Sequence, residues 1–146
     1  MDVQERMTRN PVTVGCEVKV KAAAELMRAN KIRHLPVVDA GGKLVGMVTD
    51  RDVRQILFAP AMRTRTIDLG TLAEQITVGE IMSSPALTTT PYADLAEAAK
   101  IMHERKIGAL PVVERGKVTG ILSEIDVLKA FYEMAGRRLE ARPDDW

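Results

Sequence analysis

Apolar positions along the chain change period in a set order, and they do so twice. Val20, Ala23, Ala24 and Met27 fall at i, i+3, i+4 and i+7, the stripe of an amphipathic helix ending near Asn30. Leu35 to Val38 and Leu44 to Val48 are then short β-rich runs, with a hairpin predicted through Asp39-Ala40-Gly41-Gly42. A further helix is predicted from about Asp50 to Leu57. Leu95, Ala98, Ala99 and Met102 restore the helical stripe, the next hairpin turns at Glu114-Arg115-Gly116, and a last helix runs from Glu124 to about Met134. The second stripe carries a start signal. Thr90 can cap it, Pro91 suits a first helical position that needs no N–H, and Asp94 complements the helix dipole.

The recurrence is a sequence repeat. Lys31-Ile32-Arg33-His34-Leu35-Pro36-Val37-Val38-Asp39 returns as Lys106-Ile107-Gly108-Ala109-Leu110-Pro111-Val112-Val113-Glu114, an offset of 75 residues. Lys43-Leu44-Val45-Gly46-Met47-Val48-Thr49 returns one residue closer, as Lys117-Val118-Thr119-Gly120-Ile121-Leu122-Ser123. The openings also match, Met7-Thr8-Arg9-Asn10-Pro11-Val12-Thr13 with Met82-Ser83-Ser84-Pro85-Ala86-Leu87-Thr88. The expected organisation is a first repeat over 1–61, a linker over 62–76, a second repeat over 77–136 and a polar tail over 137–146. Each repeat reads as strand, helix, two strands, helix, an α/β (α+β) unit of βαββα order. A chain of about 60 residues has too little core to stand alone, so the copies should pack as a pseudo-twofold pair. Two related clefts between them follow from that symmetry.

Composition narrows the function classes. The net charge of +1 comes from 21 basic and 20 acidic residues spread along the chain, so no nucleic-acid partner is expected. The charged start is followed by no apolar signal region, and no stretch approaches the roughly 18 apolar residues of a spanning helix. A cytoplasmic protein away from the membrane is expected. Cys16 is the sole cysteine, which excludes an intrachain disulfide; with only His34 and His103 beside it, no metal site is expected.

Thr49-Asp50-Arg51-Asp52 and Ser123-Glu124-Ile125-Asp126 stand at equivalent strand-to-helix turns, and both are Ser/Thr-x-x-Asp. One reading is a capping-box variant, hydroxyl and acid satisfying orphan backbone donors. The other is a ligand site, in which the helix N-terminus faces a phosphate and the Asp accepts from ribose hydroxyls. The two roles can coexist. Catalytic readings lack context: no motif ties a histidine to Cys16, Asp50 and Asp52 cannot face each other across a cleft, and Gly41-Gly42 joins two strands instead of leading into a helix. Arg63 and Arg65 read as solvated loop residues.

With its repeated Leu-Pro-Val-Val runs and strand-Ser/Thr-x-x-Asp turns, the chain resembles the CBS-domain proteins, tandem pairs of the repeat named from cystathionine β-synthase. The resemblance implies a regulatory module, not an enzyme and without a cofactor, that binds AMP, ADP or ATP between its repeats and signals to a partner protein. It also implies a homodimer built through helices, for which Leu57, Phe58, Leu128, Phe131 and Met134 supply apolar surface. An S-adenosylmethionine sensor, or an interaction and dimerisation module with vestigial clefts, is the alternative. Carried over by position, the main ligand site takes Thr49 and Asp52 for ribose and phosphate, with Thr88, Ile107, Ala109 and Pro111 around the base. The second site takes Ser123 and Asp126, with Thr13, Ile32 and Pro36. Arg33, His34 and Arg51 have Gly108, Ala109 and Ile125 as their counterparts, so the Asp52 site is expected to be the phosphate-binding one.

Overall fold

The computed structural model describes residues 1–58 and 69–140, so Arg63, Arg65 and the last residues of the expected tail lie outside the described residues. After a 3-10 turn at Val3–Glu5 come β1 (Thr8–Arg9), α1 (Val20–Asn30), β2 (His34–Val38), β3 (Leu44–Thr49) and α2 (Asp50–Leu57). Then follow α3 (Leu69–Gln75), α4 (Val78–Ile81), α5 (Leu95–Arg105), β4 (Ala109–Glu114), β5 (Lys117–Ser123) and α6 (Glu124–Glu140). The mixed α/β pair of hairpin-and-helix units is the architecture expected from the repeat. Among the described residues no helix is long and apolar enough to cross a membrane.

Each copy has its own core. In the first, Val20, Ala23 and Met27 of α1 pack with Leu35, Val37 and Val48 of the hairpin. In the second, Leu95, Ala98 and Met102 of α5 pack with Leu110, Val112 and Leu122. Leu35-Pro36-Val37 and Ala109 to Val112 are buried without alternation, because both faces of these strands are covered. Each fully buried Val or Leu stabilises the fold by about 1.5–3 kcal/mol. Both hairpins are antiparallel, and the second turns at Arg115 and Gly116, both with positive φ (55° and 79°), the two-residue geometry whose twist suits paired strands.

The packing units are offset from the sequence copies. Val3 and Met7, from the start of the chain, lie in the second repeat's core, while Val78 lies in the first repeat's core. The exchange is symmetric to the residue. Val3 N–H donates to the Ala93 carbonyl and Leu95 N–H to Met1, and 75 residues on Val78 N–H donates to Val18 and Val20 N–H to Ile76. The openings also cross between sheets: β1 pairs with β5, giving the order β1-β5-β4, and Ser83 bridges Met47 on the edge of the β2-β3 pair. Gly46 and Gly120 permit these crossings. A Cβ would lie 2.8 Å from the Ser83 carbonyl oxygen at one and 2.9 Å from that of Thr8 at the other.

Four sequence expectations change here. The opening segment of each βαββα copy joins its own hairpin only through a single parallel bridge, Val14 to Val37 and Thr89 to Val112. The expected linker over 62–76 becomes, from Leu69 on, the helix α3, which buries Leu72 and Ala73 against the first repeat. The second stripe starts at Leu95 with Asp94 as its cap, accepting from Ala96 N–H, instead of at Pro91. The Pro91 and Ala93 carbonyls accept from Gln4 and Val3 and are not available to a helix. The last helix, expected to end near Met134, continues to Glu140.

Candidate functional site

Two clefts lie between the repeats, as symmetry requires. The first, of about 470 Å³, is built on the start of α2: Thr49, Arg51 and Asp52 line it with Arg33 and His34. Ile107, Ala109 and Pro111 of the second repeat form its opposite wall. The second, of about 540 Å³, has Ser123 and Asp126 from the start of α6 and Ile32 from the first repeat. Three expected residues are not brought to a cleft. Thr88 and Thr13 are exposed, because the neighbouring Thr89 and Val14 turn into the cores as bridge partners, and Pro36 is fully buried within β2.

The Ser/Thr-x-x-Asp turns are capping boxes in both copies. Thr49 N–H donates to Asp52 Oδ2 at 2.9 Å, and Asp52 N–H donates back to Thr49 Oγ1 at 3.1 Å. Ser123 N–H donates to Asp126 Oδ2 at 2.8 Å, its hydroxyl donates to the same oxygen at 2.9 Å, and Asp126 N–H donates to Ser123 Oγ at 3.3 Å. Such caps contribute about 0.5–2 kcal/mol each. Capping engages Oδ2, so each carboxylate keeps a second oxygen able to accept bonds, and it holds the acid at the rim of a cleft beside a helix N-terminus.

Several lining residues were missed from sequence. Pro85, Ala86 and Leu87 line the first cleft, and Pro11 and Val12 line the second. Each opening thus crosses to the cleft built on the other copy's helix. The signal was present in the repeat, one position earlier than the threonines chosen. Lys106 and Lys31 also line the first and second clefts; both sit in left-handed conformation (φ 55° and 53°) as the residues that end α5 and α1.

Electrostatically the clefts differ. The first gathers Arg33, Arg51, Arg54 and Lys106 against Asp50, Asp52 and Glu124, with Arg54 Nη2 3.5 Å from Asp50 Oδ2. The second has Lys31 and Arg33 against Glu124 and Asp126, and Ile125 where the first has Arg51. It therefore does not lack cations, as expected from the second copy's own residues, because Arg33 stands where the clefts meet and lines both. His34 and Glu124 also line both. Burial of the His34 imidazole lowers its pKa, against Asp50, Glu124 and Asp52, which raise it; Arg33 adds to the lowering.

Comparison with known proteins converges on one family. The family model described as CBS domain matches residues 2–59 and 78–133. The CBS domain-containing protein YhcV of Bacillus subtilis is 32% identical over 94% of this chain and 91% of its own length. Two longer curated relatives are spanned over only 32% and 23% of their lengths, the latter an inosine-5'-monophosphate dehydrogenase of Aquifex aeolicus. Among solved structures, the CBS domain pair of protein MJ0100 in complex with 5'-methylthioadenosine and S-adenosyl-L-methionine superposes with a TM-score of 0.79. It is 27% identical, covering 92% of this chain and 98% of that one. CBSX2 in complex with AMP gives a TM-score of 0.76 at 31% identity, covering 92% and 98%.

Proposed function

Because this chain belongs to the CBS domain family, we propose that it is a non-catalytic regulatory module of the cytoplasm that senses an adenosine nucleotide and signals to a partner protein. One observation carries the reading. The first cleft combines a carboxylate fixed at a helix N-terminus with four basic side chains and an apolar opposite wall. Asp52 accepts from the ribose hydroxyls, Arg33 and Arg51 take the phosphate through their planar donor forks, and Ile107, Ala109, Pro111 and Leu87 flank the base. A volume of about 470 Å³ is within the range of sites that enclose small ligands. The similar CBS pairs with AMP, or with 5'-methylthioadenosine and S-adenosyl-L-methionine, bound support the adenosyl class.

The second cleft, with fewer cations, suits an uncharged or cationic adenosyl compound better than a phosphorylated one. A thermal-shift series with AMP, ADP, ATP, S-adenosylmethionine and adenosine tests the reading, since a ligand bound by the folded state alone raises the melting temperature. At 100 times Kd the gain is about 2.7 kcal/mol. No shift with any of them would leave the interaction-module reading in its place.

That second reading has its own support. Leu128, Phe131 and Tyr132 on α6 are 61–77% exposed, as is Ile125, and Phe58 after α2 is 51% exposed. Exposed apolar surface of this kind favours self-association, so we expect a homodimer; light scattering that finds a monomer at micromolar concentration would refute it.

A further inference from the structure

His34 lines both clefts, and its ring is seated on a glycine. A Cβ built at Gly108 would lie 3.0 Å from His34 Nε2 and 3.3 Å from Cε1. Gly108 is the counterpart of Arg33 in the repeat, so only one of the two copies leaves this room. The charged groups around the ring are Asp50 and Asp52 of α2, Glu124 of α6 and its chain neighbour Arg33. Among the described residues no hydrogen bond joins any of these groups to the ring, whose Nε2 lies against Gly108 at the wall of the cleft. Burial favours the neutral imidazole while the cleft is empty. A phosphate placed beside Arg33 and Arg51 would bring about −1.5 to −2 charge into the same space, and would reverse that preference.

Resting on the adenosine-nucleotide reading above, we propose that His34, seated by Gly108, makes ligand choice depend on pH: a phosphorylated nucleotide binds with uptake of one proton from solvent onto the imidazole, and an unphosphorylated adenosyl ligand binds without it. His34 is then the residue that discriminates by phosphate, and Gly108 positions it. The sign follows from linkage. The ring's pKa is higher in the phosphate complex than in the empty protein, so affinity for a phosphorylated ligand falls as pH rises between those two values.

Titration calorimetry with AMP and with adenosine, at about pH 6 and about pH 8, tests this in the wild type, His34→Gln and Gly108→Ala. In the wild type, AMP affinity should weaken roughly five- to tenfold between the two pH values, and adenosine affinity by less than about twofold. In His34→Gln the AMP ratio should also drop below about twofold, with proton uptake, read from buffers of different ionisation heat, reduced by about a third to a half of a proton averaged over that range. The ionisation of AMP itself cancels in the comparison. Gly108→Ala keeps the histidine but crowds its Nε2 by a few tenths of an ångström, and should move the AMP ratio part of the way toward that of His34→Gln. Equal pH dependence of AMP binding in the wild type and His34→Gln would overturn the proposal while leaving nucleotide binding intact. Absence of AMP binding to the wild type at both pH values would overturn the functional reading and this inference together.

Discussion

Gly46→Ala probes the exchange of opening segments, because the added methyl has nowhere to go. Its Cβ would meet Met82 Sδ at 2.6 Å and the Ser83 carbonyl oxygen at 2.8 Å. The thioether can turn away. The carbonyl cannot, since it accepts the Met47 N–H at 3.0 Å while Ser83 N–H donates to Met47 at 2.9 Å. Relief therefore requires the 82–87 segment to lift from the sheet edge, weakening that two-bond bridge and moving the wall that carries Pro85, Ala86 and Leu87. Overpacking of this kind costs about 1–3 kcal/mol, offset by about 0.4–1 kcal/mol from the stiffer unfolded chain. A net loss of about 1–2 kcal/mol lowers the melting temperature by roughly 3–8 °C for a chain of this length. Gly136→Ala is the control, because Gly136 lies in α6 with nothing within 4 Å of a Cβ. It should gain about 0.4–1 kcal/mol. Differential scanning calorimetry of the two variants decides: a Gly46→Ala protein melting within about 1 °C of the wild type would refute the crossing geometry.

Two further outcomes follow from particular residues. His34 has a lowered pKa in the folded chain, so below about pH 6.5 the unfolded chain takes up the proton first, and stability should fall as pH drops through that region. Urea unfolding should show this loss in the wild type and a smaller one in His34→Gln; equal slopes would contradict the burial of the ring. Arg115 occupies a left-handed position that Asn tolerates better, so Arg115→Asn should raise stability by about 0.5–1 kcal/mol in a thermal melt, and a lower melting temperature would count against the two-residue turn.

Helices, hairpins and the reciprocal caps were legible because each leaves a local signature: the Val20/Ala23/Met27 stripe, the Gly-bearing turns, a hydroxyl three residues before an acid. The exchange of openings was not, since backbone pairing at a sheet edge asks little of side chains beyond Gly46 and Gly120. Thr13 and Thr88 were chosen one position late for the same reason: a segment joined to its hairpin by one bridge has no alternation from which to read its phase. The α3 helix went unseen because Leu72 and Ala73 are too few to show a period. The asymmetry of charge was legible in Arg51 against Ile125, but not that Arg33 lines both clefts, which depends on where the two copies meet.

The central claim is that the Asp52 cleft holds the phosphorylated nucleotide, and calorimetric titration of AMP into Asp52→Ala and Asp126→Ala tests it most directly. Losing charge-assisted hydrogen bonds worth about 1.5–3 kcal/mol each should abolish detectable AMP binding in Asp52→Ala and leave it within about twofold of the wild type in Asp126→Ala. Binding abolished by Asp126→Ala and spared by Asp52→Ala would contradict the account.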